Sequence, residues 1–250
     1  MSKLYELGLD DHDQLANELG GGIPRGSIVL IEGNYGAGKS VLSQRFTYGF
    51  QEEGYAVTFV STELNMRGFL DQMYDLDYEI TLPVLDEEVL FLPAEVGSSG
   101  EGIQLERDNE ERKELLNRLM EAEVLWQGDV VIVDTFDSIL RNDPTFEALV
   151  RQNDERQAAL EIISHFREMT GKNKTIVLTV DPSNINSDSI APFRSIADVY
   201  FQLQMIEVGN DVRRNISVKR FAGMGDQVGD TIGYSVRSGI GVVIESRSVA

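Results

Sequence analysis

Eight consecutive residues near the N-terminus combine glycines, a lysine and a serine at the spacing that phosphate binding needs. The segment Gly33–Ser40 reads GNYGAGKS and fits the pattern G-x-x-x-x-G-K-[ST], the P-loop. Glycines let such a loop curl until successive backbone N–H groups point at phosphate oxygens, and the following helix adds favourable partial charge. Lys39 is expected to contact the β- and γ-phosphates of ATP, and the Ser40 hydroxyl to ligate Mg²⁺. The predicted nucleotide-binding residues are Gly33, Asn34, Tyr35, Gly36, Ala37, Gly38, Lys39 and Ser40.

A second chemical feature is the run Val130–Asp134, in which four apolar residues end in a carboxylate. Such a strand presents its acid to the magnesium shell of a bound nucleotide, the Walker B feature. We therefore predict that Ser40 and Asp134 hold Mg²⁺, the alternative being that Asp134 only caps a turn. Thr135 follows Asp134. Many P-loop ATPases have a glutamate at this position that polarises the attacking water. A threonine cannot act as that base.

Glu63 is the candidate catalytic carboxylate. It ends the predicted strand Ala56–Thr62, which follows the P-loop helix. Ligands of α/β sheets lie at the carboxyl ends of parallel strands, so Glu63 is expected to face the same crevice as Ser40 and Asp134. There it could orient the water that attacks the γ-phosphate. The alternative is a surface or capping glutamate.

Short β-branched segments and longer amphipathic ones alternate through the first 197 residues, and they must position these side chains. Strands that are apolar on both faces and alternate with helices predict a parallel sheet covered on both sides. The predicted strands are Ser27–Glu32, Ala56–Thr62, Val89–Val96, Asp129–Asp134 and Thr175–Val180. The predicted helices are Val41–Glu53, Arg67–Leu76, Glu106–Trp126 and Pro144–Thr170, and Asp181–Arg194 is predicted to be a polar loop.

The pattern changes after Ala197. Four strand candidates follow without intervening helices: Asp198–Val208, Arg213–Arg220, Thr231–Val236 and Gly241–Ser246. They predict an antiparallel extension on the edge of the parallel sheet. The sequence shows no internal repeat and no linker, so we expect one domain over residues 1–250.

Composition excludes several classes of function. The chain has 42 acidic and 22 basic residues, a net charge of −20, no cysteine and two histidines. Disulfides and thiolate metal sites are therefore absent, and an extended basic surface for DNA or anionic lipid is not expected. Six of the basic residues are lysines. A high-salt cytosol would explain this acid-rich, lysine-poor composition, because salt screens the repulsion between dense carboxylates. No signal peptide or membrane span is visible, so we expect a soluble, cytoplasmic protein.

These segments together resemble the KaiC-like branch of the RecA superfamily. The resemblance rests on the P-loop and on the segments Gly20–Ser27, Ser61–Glu63, Val133–Thr135, Arg214–Arg220 and Gly239–Ile244. Within that branch, the length, the P-loop and the STEL segment after the second strand are similar to the FlaH (ArlH) family of archaeal flagellum proteins. The acid-rich, lysine-poor composition suggests a haloarchaeal version of this family.

The resemblance implies a RecA-like core that binds ATP and Mg²⁺ and forms a homo-oligomeric ring, with a hexamer as the expectation. The ring would lie in the cytoplasm at the base of the archaellum, against the motor ATPase FlaI and scaffold proteins of the Fla set. Bound ATP would act as a signal for assembly, with weak or no hydrolysis, and Glu63 would be the water-activating residue. No DNA binding and no membrane insertion are implied.

One segment departs from this family pattern. Many KaiC-like proteins have Lys-x-Arg on a late strand, where both cations reach the neighbouring subunit's nucleotide; here Lys219 and Arg220 are adjacent. On a regular strand adjacent residues face opposite sides, so we expect an incomplete trans-acting pair, the alternative being ordinary strand-edge charges.

Thr179 and Asp181 end a predicted strand and could sense the γ-phosphate. An active KaiC-like ATPase or autokinase remains the main alternative function, and a RecA-like DNA-dependent ATPase a weaker one.

Overall fold

A computed structural model of the chain describes residues 3–9, 12–94, 115–151, 155–208, 211–223 and 228–248. The strands are β1 (Leu4–Glu6), β2 (Gly22–Pro24), β3 (Ile28–Gly33), β4 (Val57–Ser61), β5 (Val89–Pro93), β6 (Val130–Asp134), β7 (Thr175–Val180), β8 (Val199–Val208), β9 (Asp211–Phe221), β10 (Thr231–Arg237) and β11 (Gly241–Ser248). The helices are α1 (Leu15–Glu18), α2 (Lys39–Glu52), α3 (Met66–Asp75), α4 (Thr81–Leu85), α5 (Leu115–Glu121), α6 (Phe136–Asn142), α7 (Pro144–Arg151), α8 (Glu155–Gly171) and α9 (Ser187–Ile196). A short 3₁₀ turn spans Leu125–Gln127.

Nine of the strands form one mixed sheet in the order β11-β10-β9-β8-β3-β7-β6-β4-β5. The six strands from β8 to β5 in this order run parallel to their neighbours, whereas β8, β9, β10 and β11 pair antiparallel in succession. The remaining two strands, β1 and β2, form a separate antiparallel pair. This is the predicted fold class: a mostly parallel, RecA-like sheet flanked by helices, with an antiparallel extension at its C-terminal end.

The core lies on both faces of the sheet, as strands that are apolar throughout require. Along β3, Val29 and Ile31 belong to one buried cluster, with α2 and α3, while Ile28 and Leu30 belong to the other, with α6 and α8. Because β3 is central and buried on both sides, the loop that follows it is held between two helical layers. Among the described residues, no helix is both long and apolar enough to cross a membrane.

One sequence-based assignment of secondary structure is wrong. The segment Asp181–Arg194, predicted to be a loop, contains all but the last two residues of α9. Pro192, which lies inside α9, and the polar residues earlier in the segment favour a loop, but Ile190 and Phe193 lie three residues apart and are fully buried. Tertiary burial of that pair outweighs the local signal. The predicted helix Pro144–Thr170 is seen as α7 and α8, and because residues 152–154 between them lie outside the described residues, its continuity stays a prediction.

Other differences concern extent. Helix α6 was not predicted. Of the predicted helix Glu106–Trp126, residues 106–114 lie outside the described part, and the remainder forms α5 and the 3₁₀ turn. The strand predicted to reach Val96 ends at Pro93, and Val96 is likewise not described. The remaining predicted strands and helices agree with the structure to within two residues at each end.

Candidate functional site

The phosphate loop joins the end of β3 to the start of α2. Gly36 and Gly38 have φ values of 77° and 96°, in the left-handed region that favours glycine. Helix α2 begins at Lys39, directly after Gly38. The strand, loop and helix therefore follow one another as the motif predicts, and the first N–H groups of α2 have no acceptor within the helix.

Lys39 is a buried cation that lies across its own loop. Its Nζ atom donates to the carbonyl oxygens of Gly33 (2.7 Å) and Asn34 (3.3 Å) and is 3.5 Å from Asp181 Oδ2. Burial by itself raises the pKa of Asp181, but two hydrogen bonds from Ser183 and the Lys39 charge outweigh it, and the net shift is downward. The ammonium group therefore sits at the carboxyl end of β3, next to the end of β7, where a phosphate chain would meet it.

Asp134 is fully buried at the end of β6. Its Oδ1 atom accepts hydrogen bonds from Thr179 (2.7 Å) and Ser43 (3.4 Å), whereas Oδ2 is buried and has no hydrogen-bond partner among the described residues. Burial raises the pKa of Asp134, and the hydroxyls of Thr179 and Ser40 oppose this effect. A buried carboxylate oxygen without a partner costs free energy unless a cation satisfies it.

The donors near Asp134 fit Mg²⁺. Asp134 and Ser40 supply the hard oxygen ligands that this ion prefers, and nucleotide phosphates and water usually complete its shell. Within the described ranges, no group of three or more acidic or histidine side chains could hold a metal alone. A magnesium ion at this position therefore depends on a bound nucleotide for most of its ligands.

Thr135 carries backbone strain beside this carboxylate. Its φ of 61° is left-handed, which is a genuine outlier for a β-branched residue and costs about 1–3 kcal/mol. The conformation is held by three contacts: Thr135 N donates to Thr179 Oγ1 (2.7 Å), Thr135 Oγ1 donates to Asp134 O (2.6 Å), and it lies 2.7 Å from Thr62 Oγ1. The predicted sensor Thr179 therefore contacts Asp134 and Thr135 directly, and the Thr62–Thr135 contact ties the ends of β4 and β6 together.

Glu63 follows Thr62, and its side chain is exposed. Its backbone N–H and that of Leu64 donate to Ser61 Oγ (3.3 and 3.1 Å). Although the side chain is exposed, the surrounding protein displaces part of the water around its carboxylate and so raises the pKa of Glu63; the Asp134 charge raises it further, and Lys39 lowers it. The charges of Asp134 and Lys39 therefore act on the Glu63 carboxylate, as expected for groups at the carboxyl ends of parallel strands.

Asp137 is a site residue that the motifs did not reveal. It is fully buried in the first turn of α6 and accepts hydrogen bonds from Asp181 N (3.0 Å) and Asn184 Nδ2 (3.3 Å). Burial raises its pKa. Asp137 thereby anchors the turn after β7 that carries Asp181. The only signal in the sequence is an acid three residues after Asp134, which does not distinguish a surface position from this one.

The structure does not bring Lys219 and Arg220 into this site within one chain. The β8–β9 pairing shifts register beside them, so the premise of a regular strand fails at this point. Arg220 Nη1 donates to the carbonyls of Arg194, Ser195 and Ala197 (3.0, 3.2 and 2.6 Å), at the C-terminal end of α9. Lys219 is exposed. A contact of either residue with a neighbouring subunit's nucleotide stays a prediction.

Comparisons with known proteins agree with this geometry. A family model described as "ATPase: KaiC" matches residues 7–244. The chain is 30% identical over 238 residues to the archaeal flagellar ATP-binding protein FlaH of Methanocaldococcus jannaschii, covering 95% of this chain and 94% of that protein. It is 24% identical over 251 residues to a protein of the same name from Sulfolobus acidocaldarius, covering 99% of each.

Solved structures show the same relationship. The crystal structure of the flagellar accessory protein FlaH from Methanocaldococcus jannaschii matches with a TM-score of 0.81 and 28% identity, covering 97% of this chain and 99% of that one. A KaiC-like protein from Pyrococcus horikoshii, at 20% identity and a TM-score of 0.70, shares the fold. The chain therefore belongs to the KaiC-like ATPase family and, within it, to the archaeal flagellar ATP-binding proteins named FlaH.

Proposed function

We propose that this chain binds ATP with Mg²⁺ through the loop Gly33–Ser40 and Asp134, and that nucleotide binding regulates the archaellum motor. One observation carries the proposal: the buried Lys39 ammonium lies at the carboxyl end of β3, and at the end of β6 lies a buried Asp134 oxygen that has no hydrogen-bond partner among the described residues. A nucleoside triphosphate with its metal supplies the cation that the Asp134 oxygen lacks, and its phosphates can take the place of the loop carbonyls and Asp181 as partners of Lys39.

The proposed partners follow from the relatives, whose names describe flagellar ATP-binding proteins. We propose that residues 1–250 form one ATP-binding domain, which assembles into a homo-oligomeric ring in the cytoplasm at the base of the archaellum. There it would contact the motor ATPase FlaI and Fla-set scaffold proteins, with ATP controlling assembly or that contact. Capture of purified FlaI by this protein, in ATP and in ADP, tests the proposal. Equal capture with both nucleotides and with none would contradict nucleotide control.

Replacing Asp134 with asparagine tests the metal part of the site. ATP affinity in Mg²⁺ is expected to fall roughly 10- to 100-fold, because a charge-assisted metal contact is lost. Because burial raises the pKa of Asp134, the neutral side chain should leave the nucleotide-free protein at least as stable as wild type. Calorimetric titrations of both proteins, in Mg²⁺ and in EDTA, measure the effect. An identical loss in EDTA would exclude a metal role.

Active ATP hydrolysis is the second candidate function, and the electrostatic coupling of Glu63 to Asp134 and Lys39 favours it. Replacing Glu63 with glutamine is expected to lower any hydrolysis rate roughly 100-fold, since general-base catalysis contributes about this much. ATP affinity should change little, because the variant keeps the loop. Glu168→Gln, at an exposed position paired with Lys172, is the matched control.

Steady-state hydrolysis separates the two candidates. Rapid wild-type turnover that is lost in Glu63→Gln would favour an active ATPase over a regulatory ATP-binding role. Slow turnover that Glu63→Gln does not alter would support the regulatory role.

A DNA-dependent ATPase finds no support in the arrangement of charges. Arg194 is the one cation of the segment Asp181–Arg194. Its guanidinium group makes two hydrogen bonds of 2.7 Å to the Glu32 carboxylate, which also accepts one from Tyr200. A cation that is already paired in this way cannot neutralise a DNA phosphate without losing Glu32.

A further inference from the structure

The C-terminal antiparallel extension contacts the backbone of the phosphate loop directly. Tyr234 Oη donates to the carbonyl oxygen of Ala37 (2.7 Å), and Arg214 Nε donates to that of Gly36 (3.1 Å). These donors are 197 and 178 residues from their acceptors along the chain. Arg214 on β9 and Tyr234 on β10 lie directly opposite each other, so a single cross-strand pair supplies both hydrogen bonds.

Tyr234 is fixed against the loop. Its side chain is fully buried, and burial raises the pKa of its hydroxyl, which therefore stays protonated and donates. A Cβ atom at Gly38 would lie 2.5 Å from Tyr234 Oη, so the phenol also packs against the loop backbone. The β10–β11 register shifts between Gly233 and Tyr234, and such irregularities commonly re-aim a side chain.

Peptide geometry links this outer contact to the inner face of the loop. A carbonyl and the N–H of the next residue share one planar trans unit and point in opposite directions. Holding Ala37 O toward Tyr234 therefore directs the Gly38 N–H to the opposite side. The Gly36 carbonyl, which accepts from Arg214, shares its peptide unit with the Ala37 N–H, and that N–H donates to Asn34 O (3.0 Å) within the loop. Arg214 therefore steadies the internal turn of the loop.

We propose that Tyr234 is a positioning residue that preorganises the phosphate loop for ATP, with Arg214 in a supporting role. The proposal rests on the proposed nucleotide binding. A loop whose carbonyls are already held loses less conformational freedom when phosphate binds, and affinity rises accordingly. The function of the antiparallel extension is then to hold the nucleotide site in its binding conformation.

Replacing Tyr234 with phenylalanine tests this role, because only the hydroxyl is removed. Affinity is expected to fall roughly 10-fold, equally for ATP and for inorganic tripolyphosphate, since one buried hydrogen bond is lost from the loop itself. Calorimetric titration with each ligand, beside a thermal unfolding curve, measures the change. Tyr78→Phe is the matched control, because Tyr78 is also buried and its Oη accepts from Val242 N (3.3 Å), not from the loop.

The affinities of the variants either support or overturn the positioning role of Tyr234. Wild-type affinity in Tyr234→Phe, or an equal loss in Tyr78→Phe, would overturn the positioning role while leaving the nucleotide site intact. If wild-type protein binds neither ATP nor tripolyphosphate, the proposed site is wrong and the positioning role is wrong with it. Should Tyr234→Phe fail to fold, Arg214→Gln carries the test, with an expected loss of about 3-fold for both ligands; no loss in that variant would contradict the proposal.

Discussion

Replacing Lys39 with alanine is expected to weaken ATP binding by roughly 100-fold or more. Removing one partner of a buried charge contact costs about 2–5 kcal/mol, and each 1.4 kcal/mol is tenfold in affinity. Lys39 is buried, and its ammonium group lies between the loop carbonyls and Asp181. Without Lys39, a triphosphate would face the carboxylate of Asp181 with no side-chain cation between them. Calorimetric titration with ATP and Mg²⁺ measures the loss.

A surface lysine provides the matched control for this variant. Lys172 is exposed and pairs with Glu168 one helical turn away, so Lys172→Ala should bind ATP like wild type. Circular dichroism and a thermal unfolding curve establish that both variants are folded. Unchanged ATP affinity in folded Lys39→Ala would refute the nucleotide site.

Replacing Arg45 with methionine is expected to destabilise the fold by about 3–5 kcal/mol, the usual cost of removing one partner of a buried ion pair. Arg45 lies on α2 and is fully buried. Its guanidinium group donates to both carboxylate oxygens of Asp13 (2.6 and 2.8 Å) and to the carbonyls of Leu7 and Gly8. The variant leaves the Asp13 charge and two carbonyls buried without their donor. Urea unfolding gives the change in free energy.

Arg67→Met is the control for the Arg45 variant. Arg67 also pairs with an aspartate, Asp71, but these side chains are 90% and 70% exposed, so its loss should cost less than about 1 kcal/mol. The double variant Asp13→Leu/Arg45→Met should recover part of the stability, because an apolar pair removes the uncompensated charge. A cost in Arg45→Met as small as in Arg67→Met would mean that water satisfies Asp13.

Much of the site could be predicted because its chemistry is contained in short segments. The loop Gly33–Ser40 carries its glycines, cation and hydroxyl within eight residues, and the strand before it and the helix after it follow from local pattern. Asp134 and Glu63 could be placed beside it because parallel strands end at one edge of the sheet. Their roles in catalysis and metal binding stay predictions.

Contacts between distant parts of the chain show where local pattern fails. Pro192 and several polar residues favour a loop over Asp181–Arg194, yet α9 forms because Ile190 and Phe193 are buried in the core. Arg45 lies on α2 and is fully buried, and its partner Asp13 lies 32 residues earlier in the chain. In both cases the deciding contact comes from a distant part of the chain.

The amino-acid sequence by itself determined the fold class, the family and the phosphate loop, since each depends on periodicity or on residues adjacent in the chain. Only the tertiary structure decided that Arg45 joins α2 to the N-terminal segment, that Arg220 binds the end of α9, and that Tyr234 holds Ala37. The Arg220 and Tyr234 contacts depend on strand register, because the register shifts beside these two residues move side chains from one face or position to another. No periodic pattern encodes such a shift, because it arises from how distant strands pair and pack.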